Sequence, residues 1–269
     1  MFRNRPPLSA PLRPGNLLPA RAMTAAWSLM LLLAVLAWVL VVGQADGSMD
    51  MGPGTMGLGL PLFLLLWVIM MIAMMFPSVA PVAVTWVRAI GRQSSGAVRA
   101  ARTTQFVGGY LIAWTAFGLI VYGILTVTGN VVESHPEAGR WIGAGAFLLA
   151  GLHQLSPLKN MCLSHCRSPM GQLVQYTGYR SGGARDLRVG IHHGLYCVGC
   201  CWGLMIVLIP LGTMNIAAMA GLAAVIFIEK LWRLGPVFST VVGVAFLVLA
   251  ALAPFQSWLL PGLEQHAGM

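Results

Sequence analysis

An all-α, polytopic transmembrane helix bundle follows from three features of this chain: its composition, a series of long apolar runs, and the placement of its basic residues. Hydrophobic residues make up 58% of the 269 positions and charged residues only 9%, against roughly 25% charged in a soluble domain. The mean hydropathy is +0.79. A soluble fold of this length cannot hide so much apolar surface, which excludes a water-soluble enzyme. A disordered chain would need few large apolar residues and many charges. The net charge of +9 has no soluble surface on which to form a nucleic-acid patch, so it belongs in loops beside a lipid bilayer.

Residues 1–22 are Pro-rich and basic, with Arg3, Arg5, Arg13 and Arg21, and read as a cytoplasmic tail. The apolar run 22–43 follows without a charge. Gly43, Gln44 and Ala45 loosely resemble a signal-peptidase site, but the run is about twice the length of a signal core, which favours an uncleaved helix. A helix needs about 20 apolar residues to cross the hydrocarbon layer. That criterion adds spans near 58–80, 104–128, 138–156, 189–211, 214–230 and 235–253, the fourth being the shortest. Pro77 and Pro81 are expected to kink or end the second. The transmembrane domain thus covers 23–253, and 254–269 form a short outer tail.

Charge tests these spans independently of hydropathy. With the N-terminus inside, the inner segments are the tail, 81–103, 157–188 and the turn near 231–234. Of the 16 lysines and arginines, only Arg140 falls outside. Asp46, Asp50, Glu133, Glu137 and Glu264 lie on the outer side. This positive-inside bias predicts about seven spans, N-terminus in and C-terminus out.

The chemistry concentrates in the five cysteines, an odd number that excludes a complete disulfide framework. Cys162 and Cys166, at the inner mouth of the fourth span, share a face if their segment is helical. The fifth span carries His193, Cys197, Cys200, Cys201 and Met205 on one arc of roughly 140° at the helical period. Gly199 and Gly203 fall opposite, a small-xxx-small spacing that admits another helix closely. A single buried cysteine behaves as a small hydrophobe. Three of them beside an intramembrane histidine, itself costly in lipid, point to a bound ion instead.

Met70, Met71, Met74 and Met75 form two i,i+4 rows on the second span. Cys197 lies about 12 Å above the inner end of the fifth span, at a depth comparable to Met70 and Met74, so the two clusters are expected to face each other. Any one of these methionines also reads as core filler. Met49, Met51 and Met56 in the first outer loop, with Met214 and Met219 nearby, form a weaker soft-ion signal. His153 and His165 flank the first cysteine pair. Thiolate and thioether ligands favour Cu(I), while zinc accepts thiolate and imidazole but rarely thioether. Acids are nearly absent from the spans. Glu229 and Lys230 read as an interfacial ion pair.

The run from Leu158 through Met161, Cys162, Ser164, His165, Cys166 and Pro169, followed by His193 through Cys197, Gly199, Cys200, Cys201, Trp202 and Met205, resembles a family of bacterial predicted metal-binding integral membrane proteins of unknown function. The stretch Met70 to Ser78, the pair Met214 and Asn215, and the pair Glu229 and Lys230 match its pattern, and the likeness covers roughly residues 60–255. His153 stands where that pattern leads one to expect a tyrosine. Some members look like inner-membrane copper chaperones that serve secreted or membrane copper oxidases. The resemblance implies a multi-pass protein of the bacterial inner membrane whose partner is a copper-dependent enzyme or a soluble metallochaperone.

The residues themselves lead to a binding protein, not an enzyme. Cu(I) would sit on Cys197, Cys200, Cys201 and His193, helped by Met70 and Met74, and would exchange with Cys162 and Cys166. Met71, Met75, Met205, His165 and His153 are auxiliary candidates. The alternatives are a membrane thiol–disulfide oxidoreductase and an assembly subunit whose cysteines merely pack.

Overall fold

Residues 20–48, 54–55, 57–91, 96–167 and 184–263 are described by a computed structural model. Most of the basic tail, Met49, Met51 and Met56, and residues 168–183 lie outside the described residues. Among the described residues there are nine α-helices and no strand: α1 (Ala20–Ser48), α2 (Leu60–Gly91), α3 (Gly96–Ser134), α4 (Ala138–Leu155), α5 (Pro157–Arg167), α6 (Arg185–Ile206), α7 (Leu208–Leu211), α8 (Ile216–Leu231) and α9 (Gly235–Leu252). Two short 3-10 turns follow, Ala253–Phe255 and Ser257–Leu259.

Five of these helices are long and apolar enough to cross a membrane, over Met23–Ala45, Leu60–Val87, Gly96–Ser134, Arg185–Ile206 and Gly235–Phe255. The other two expected spans coincide with α4 and α8. They hold 18 and 16 residues, roughly 27 and 24 Å of helix, short of the ~30 Å hydrocarbon core. Outward faces are apolar along the bundle, with Leu32, Val35 and Val39 on α1, Ile120 and Val127 on α3, and Val237, Val241 and Val248 on α9 all exposed. Contiguous apolar surface on this scale marks a face covered by something other than water.

Three boundaries differ from expectation. Helix α2 does not end at Pro77 or Pro81 but continues through both to Gly91. Neighbouring helices tolerate the freed backbone groups of such prolines in a packed bundle. The run 189–211 is not one helix. It stops at Ile206, and a separate turn, α7, carries Pro210. Pro210 has no N–H for the carbonyl of Ile206, which is where α6 closes. Third, α3 extends well beyond 104–128 at both ends.

Helix α3 runs along α6, α4 along α9, and α1 along α2. Glycines set the first of these contacts. A Cβ on Gly190 would strike the backbone of Phe106, one on Gly109 the backbone of Leu187, and one on Gly194 the side chain of Ala113 at 2.7 Å. The α3 and α6 backbones therefore meet without intervening side chains, which brings Tyr110 of α3 against the cysteine edge of α6.

Ser156 fixes the join between α4 and α5. Its hydroxyl donates to the carbonyl of His153 at 2.7 Å and accepts from the Lys159 amide at 3.1 Å. Pro157 follows at the first helical position, where its missing N–H costs nothing. Asn215 caps α8 by accepting from the Ala218 amide at 3.0 Å. Beyond α9, Leu259, Leu260 and Leu263 are buried, and Leu260 lies over Gly143 of α4.

Candidate metal centre

Helical spacing on α6 puts Cys197, Cys200 and Cys201 on one edge, and the fold turns that edge inward. Their three sulfurs lie within 4.8 Å of one another, and all three residues are buried. The Cys200 and Cys201 sulfurs are 3.3 Å apart, and the Cys200 thiol donates to the Cys197 carbonyl at 3.2 Å. All five cysteines of the chain are free thiols.

A fourth sulfur arrives from another helix. Cys166 of α5 lies 3.8 Å from Cys200. Cys162, one turn earlier, goes elsewhere: it packs on Gly199, where a Cβ would sit 2.9 Å from the Cys162 sulfur. The i,i+4 spacing of the pair is helical, yet only Cys166 joins the α6 sulfurs. Burial pushes the Cys162 thiol up, and the Lys159 ammonium pulls it partly back. On the same face, Gly203 receives His153, so Gly199 and Gly203 do admit close neighbours, from α5 and α4.

His193 is buried beside this edge, one turn before Cys197. Its ring stacks between Phe106 and Tyr110 with centroids 6.0 Å from each. Its Nδ1 is buried with no hydrogen-bond partner, a costly condition for a polar nitrogen. His193 is nonetheless outside the group of three ligand atoms within 4.8 Å. His153 lies within 3.0 Å of the Gly199 carbonyl through Nε2, while its Nδ1 is orphaned. His165 belongs to a ring cluster instead, 3.8 Å from Tyr196 and 6.0 Å from His192. Burial, then His192, holds its imidazole below the ordinary histidine range.

Met70, Met71, Met74, Met75 and Met205 are all buried in the apolar core that contains the cysteines. Helix α2 reaches the centre itself one turn later, through Ser78. The Ser78 hydroxyl donates to the Met75 carbonyl at 2.9 Å and accepts from Lys230 Nζ at 3.4 Å.

Lys230 and Glu229 are not an ion pair. Lys230 Nζ donates to Cys197 Sγ at 3.0 Å. Glu229 turns to the other side of α8, where it accepts from Lys159 Nζ and from Gln154 Nε2, each at 2.6 Å. Neighbours in sequence on a helix point about 100° apart, and each found a partner on a different helix. Tyr110 completes the Cys197 environment, its hydroxyl 3.2 Å from that sulfur. Tyr110 had no local signal for this site. Ser78 and Lys230 stood only within stretches that match the resembled family's pattern, and Lys230 was also an ammonium at the end of the apolar run 216–231, a position where charge is expensive and usually functional.

The arrangement has the chemistry of a soft-metal site. Sulfur atoms dominate, a buried imidazole stands one turn away, and the Glu229 carboxylate is bound by other partners. Soft donors without carboxylate favour Cu(I) over hard cations.

Among known proteins, a family described as PpoB2, copper chaperone, matches residues 64–253. No curated protein and no solved structure matches the chain.

Proposed function

The chain belongs to the PpoB2 copper chaperone family, and on that footing we propose that it binds Cu(I) within the bilayer and passes it on by ligand exchange. The single observation that carries this reading is the buried trio Cys197, Cys200 and Cys201, with sulfurs within 4.8 Å. Coordination compensates what burial of thiolates otherwise costs.

The roles divide by position. The trio is the resting site, and His193, with its orphaned Nδ1, supplies a further ligand when the side chains relax around the ion. Cys166, on short α5 outside the long apolar helices, is the exchange sulfur because it touches Cys200. Cys162 supports α5 against Gly199. The buried methionines of α2 are a thioether reserve. The partner is a copper-dependent enzyme or a soluble metallochaperone, and the setting is the bacterial inner membrane, crossed seven times with the N-terminus inside. The protein handles its cargo without catalysing a reaction.

Competition against a Cu(I) chelator tests the reading. Purified protein should bind at least one tight equivalent of Cu(I), and the Cys197, Cys200 and Cys201 triple serine variant should lose it. Equal binding by both refutes the site. A metal-free disulfide couple that titrates reversibly would instead favour the thiol–disulfide alternative.

A further inference from the structure

Lys230 is buried, and among the described residues its polar partners are the Cys197 sulfur at 3.0 Å and the Ser78 hydroxyl at 3.4 Å. An ammonium in such surroundings is costly unless a negative charge faces it. Glu229 does not serve, since it accepts from Gln154 and its charge is already matched by Lys159. Among the described residues the acidic groups left at this place are the cysteine thiols and the Tyr110 phenol, and a thiol ionises more readily than a phenol. Ser78 holds the ammonium in place: its own proton goes to the Met75 carbonyl, which leaves its oxygen free to accept.

Resting on the copper reading above, we infer that Lys230 is the counter-charge of a Cu(I) dithiolate centre. The charges balance as follows. In the empty protein, one thiolate at Cys197 faces the ammonium, and the centre is neutral. When Cu(I) enters the trio, Cys197 and a second cysteine bind it as thiolates while the third stays a neutral thiol beside them; the second thiol's proton passes to the ligand that gives up the copper as the new sulfur–copper bond forms. One copper charge and one ammonium charge then offset two thiolates. The centre is neutral before and after, so loading adds no net charge to the low-dielectric interior. Without Lys230 the same dithiolate would carry a bare negative charge.

The test compares wild type, Lys230→Met and Lys230→Arg by Cu(I) competition, with folding checked by monodisperse elution and helical circular dichroism. Lys230→Met should bind roughly 30-fold or more weakly, the lower end for removing one member of a buried charge pair. Lys230→Arg keeps the charge and should recover most of the affinity. Binding by Lys230→Met equal to wild type overturns the inference. Should the variants fail to fold, X-ray absorption of the copper-loaded wild type decides alone. Two short copper–sulfur bonds are expected; a trigonal centre of three thiolates, with two negative charges against one ammonium, overturns it. Failure of the wild type to bind Cu(I) would sink the proposed function itself, a different outcome from loss of the Lys230 effect.

Discussion

At Gly190 a single hydrogen atom decides how the centre is built. Any side chain there would meet the Phe106 backbone, and backbone cannot move aside as a flexible side chain does. The Gly190→Ala variant is expected to cost roughly 1–3 kcal/mol, the range for overpacking a well-packed contact, read as a lower midpoint in thermal unfolding in detergent. It should also weaken Cu(I) binding, because separation of α3 and α6 withdraws Tyr110 from Cys197. Gly199→Ala meets only the Cys162 side chain at its sulfur, so its effect should be smaller. A larger loss at Gly199 than at Gly190 would contradict this account. Also at this scale, the helical period alone was enough to bring Cys197, Cys200 and Cys201 to one edge of α6. It could not separate Cys166 from Cys162, because their difference lies in what α6 presents to each. Lys230 was misassigned for the same reason: the nearest acid in sequence, Glu229, is not its partner in space, which is Cys197.

Helix α5 connects these residues to the rest of the fold. It carries Cys166 to the sulfur cluster at one end and Lys159 to Glu229 near the other. The Lys159–Glu229 pair is fully buried, with side chains 0% and 1% exposed. Arg167 ties the same helix to the Glu229 carbonyl at 2.5 Å. Removal of one member strands a buried charge, so Lys159→Met should destabilise by roughly 3–5 kcal/mol. The double variant Lys159→Met with Glu229→Gln should regain much of this, since an apolar or neutral replacement of a whole buried pair is often close to neutral. The comparison is made by chemical denaturation in detergent, and equal instability of single and double variants would count against it. Copper binding should follow α5: a single variant that loosens α5 should lose the contribution of Cys166 while the α6 trio remains. The sequence showed a helical spacing at Cys162 and Cys166, but not that this segment would be a helix docked beside α6. Its mean composition is polar, and its place depends on Ser156, Pro157, one ion pair to α8 and the Arg167 hydrogen bond to the Glu229 carbonyl.

For the whole molecule, helix length, outward faces and charge placement decide which helices cross. Helices α4 and α8 fall short of the usual hydrocarbon thickness, yet both present apolar residues outward: Leu148, Leu149 and Leu152 on α4, and Phe227 on α8. A bilayer thins around short helices at a cost of fractions of a kcal/mol per Å, far below the cost of wetting those faces, which favours crossing. Hydropathy made the five long helices legible because each fills a full window with apolar residues. It was weaker for α4, whose buried polar side chains His153 and Gln154 serve neighbours within the bundle. Charge placement argues for both short helices: without α4 the basic segment 157–188 would fall on the outer side, and without α8 the turn that carries Arg233 would. Labelling with a membrane-impermeant maleimide separates the arrangements. With seven crossings, Gln175→Cys reacts from the same side as Asn4→Cys, and Ser134→Cys from the opposite one. With only the five long helices crossing, Gln175→Cys would side with Ser134→Cys. The native cysteines are buried and should contribute little background. The seven-crossing result would put Arg167 and the exchange sulfur Cys166 on the inner side, within reach of a soluble donor or acceptor of copper there.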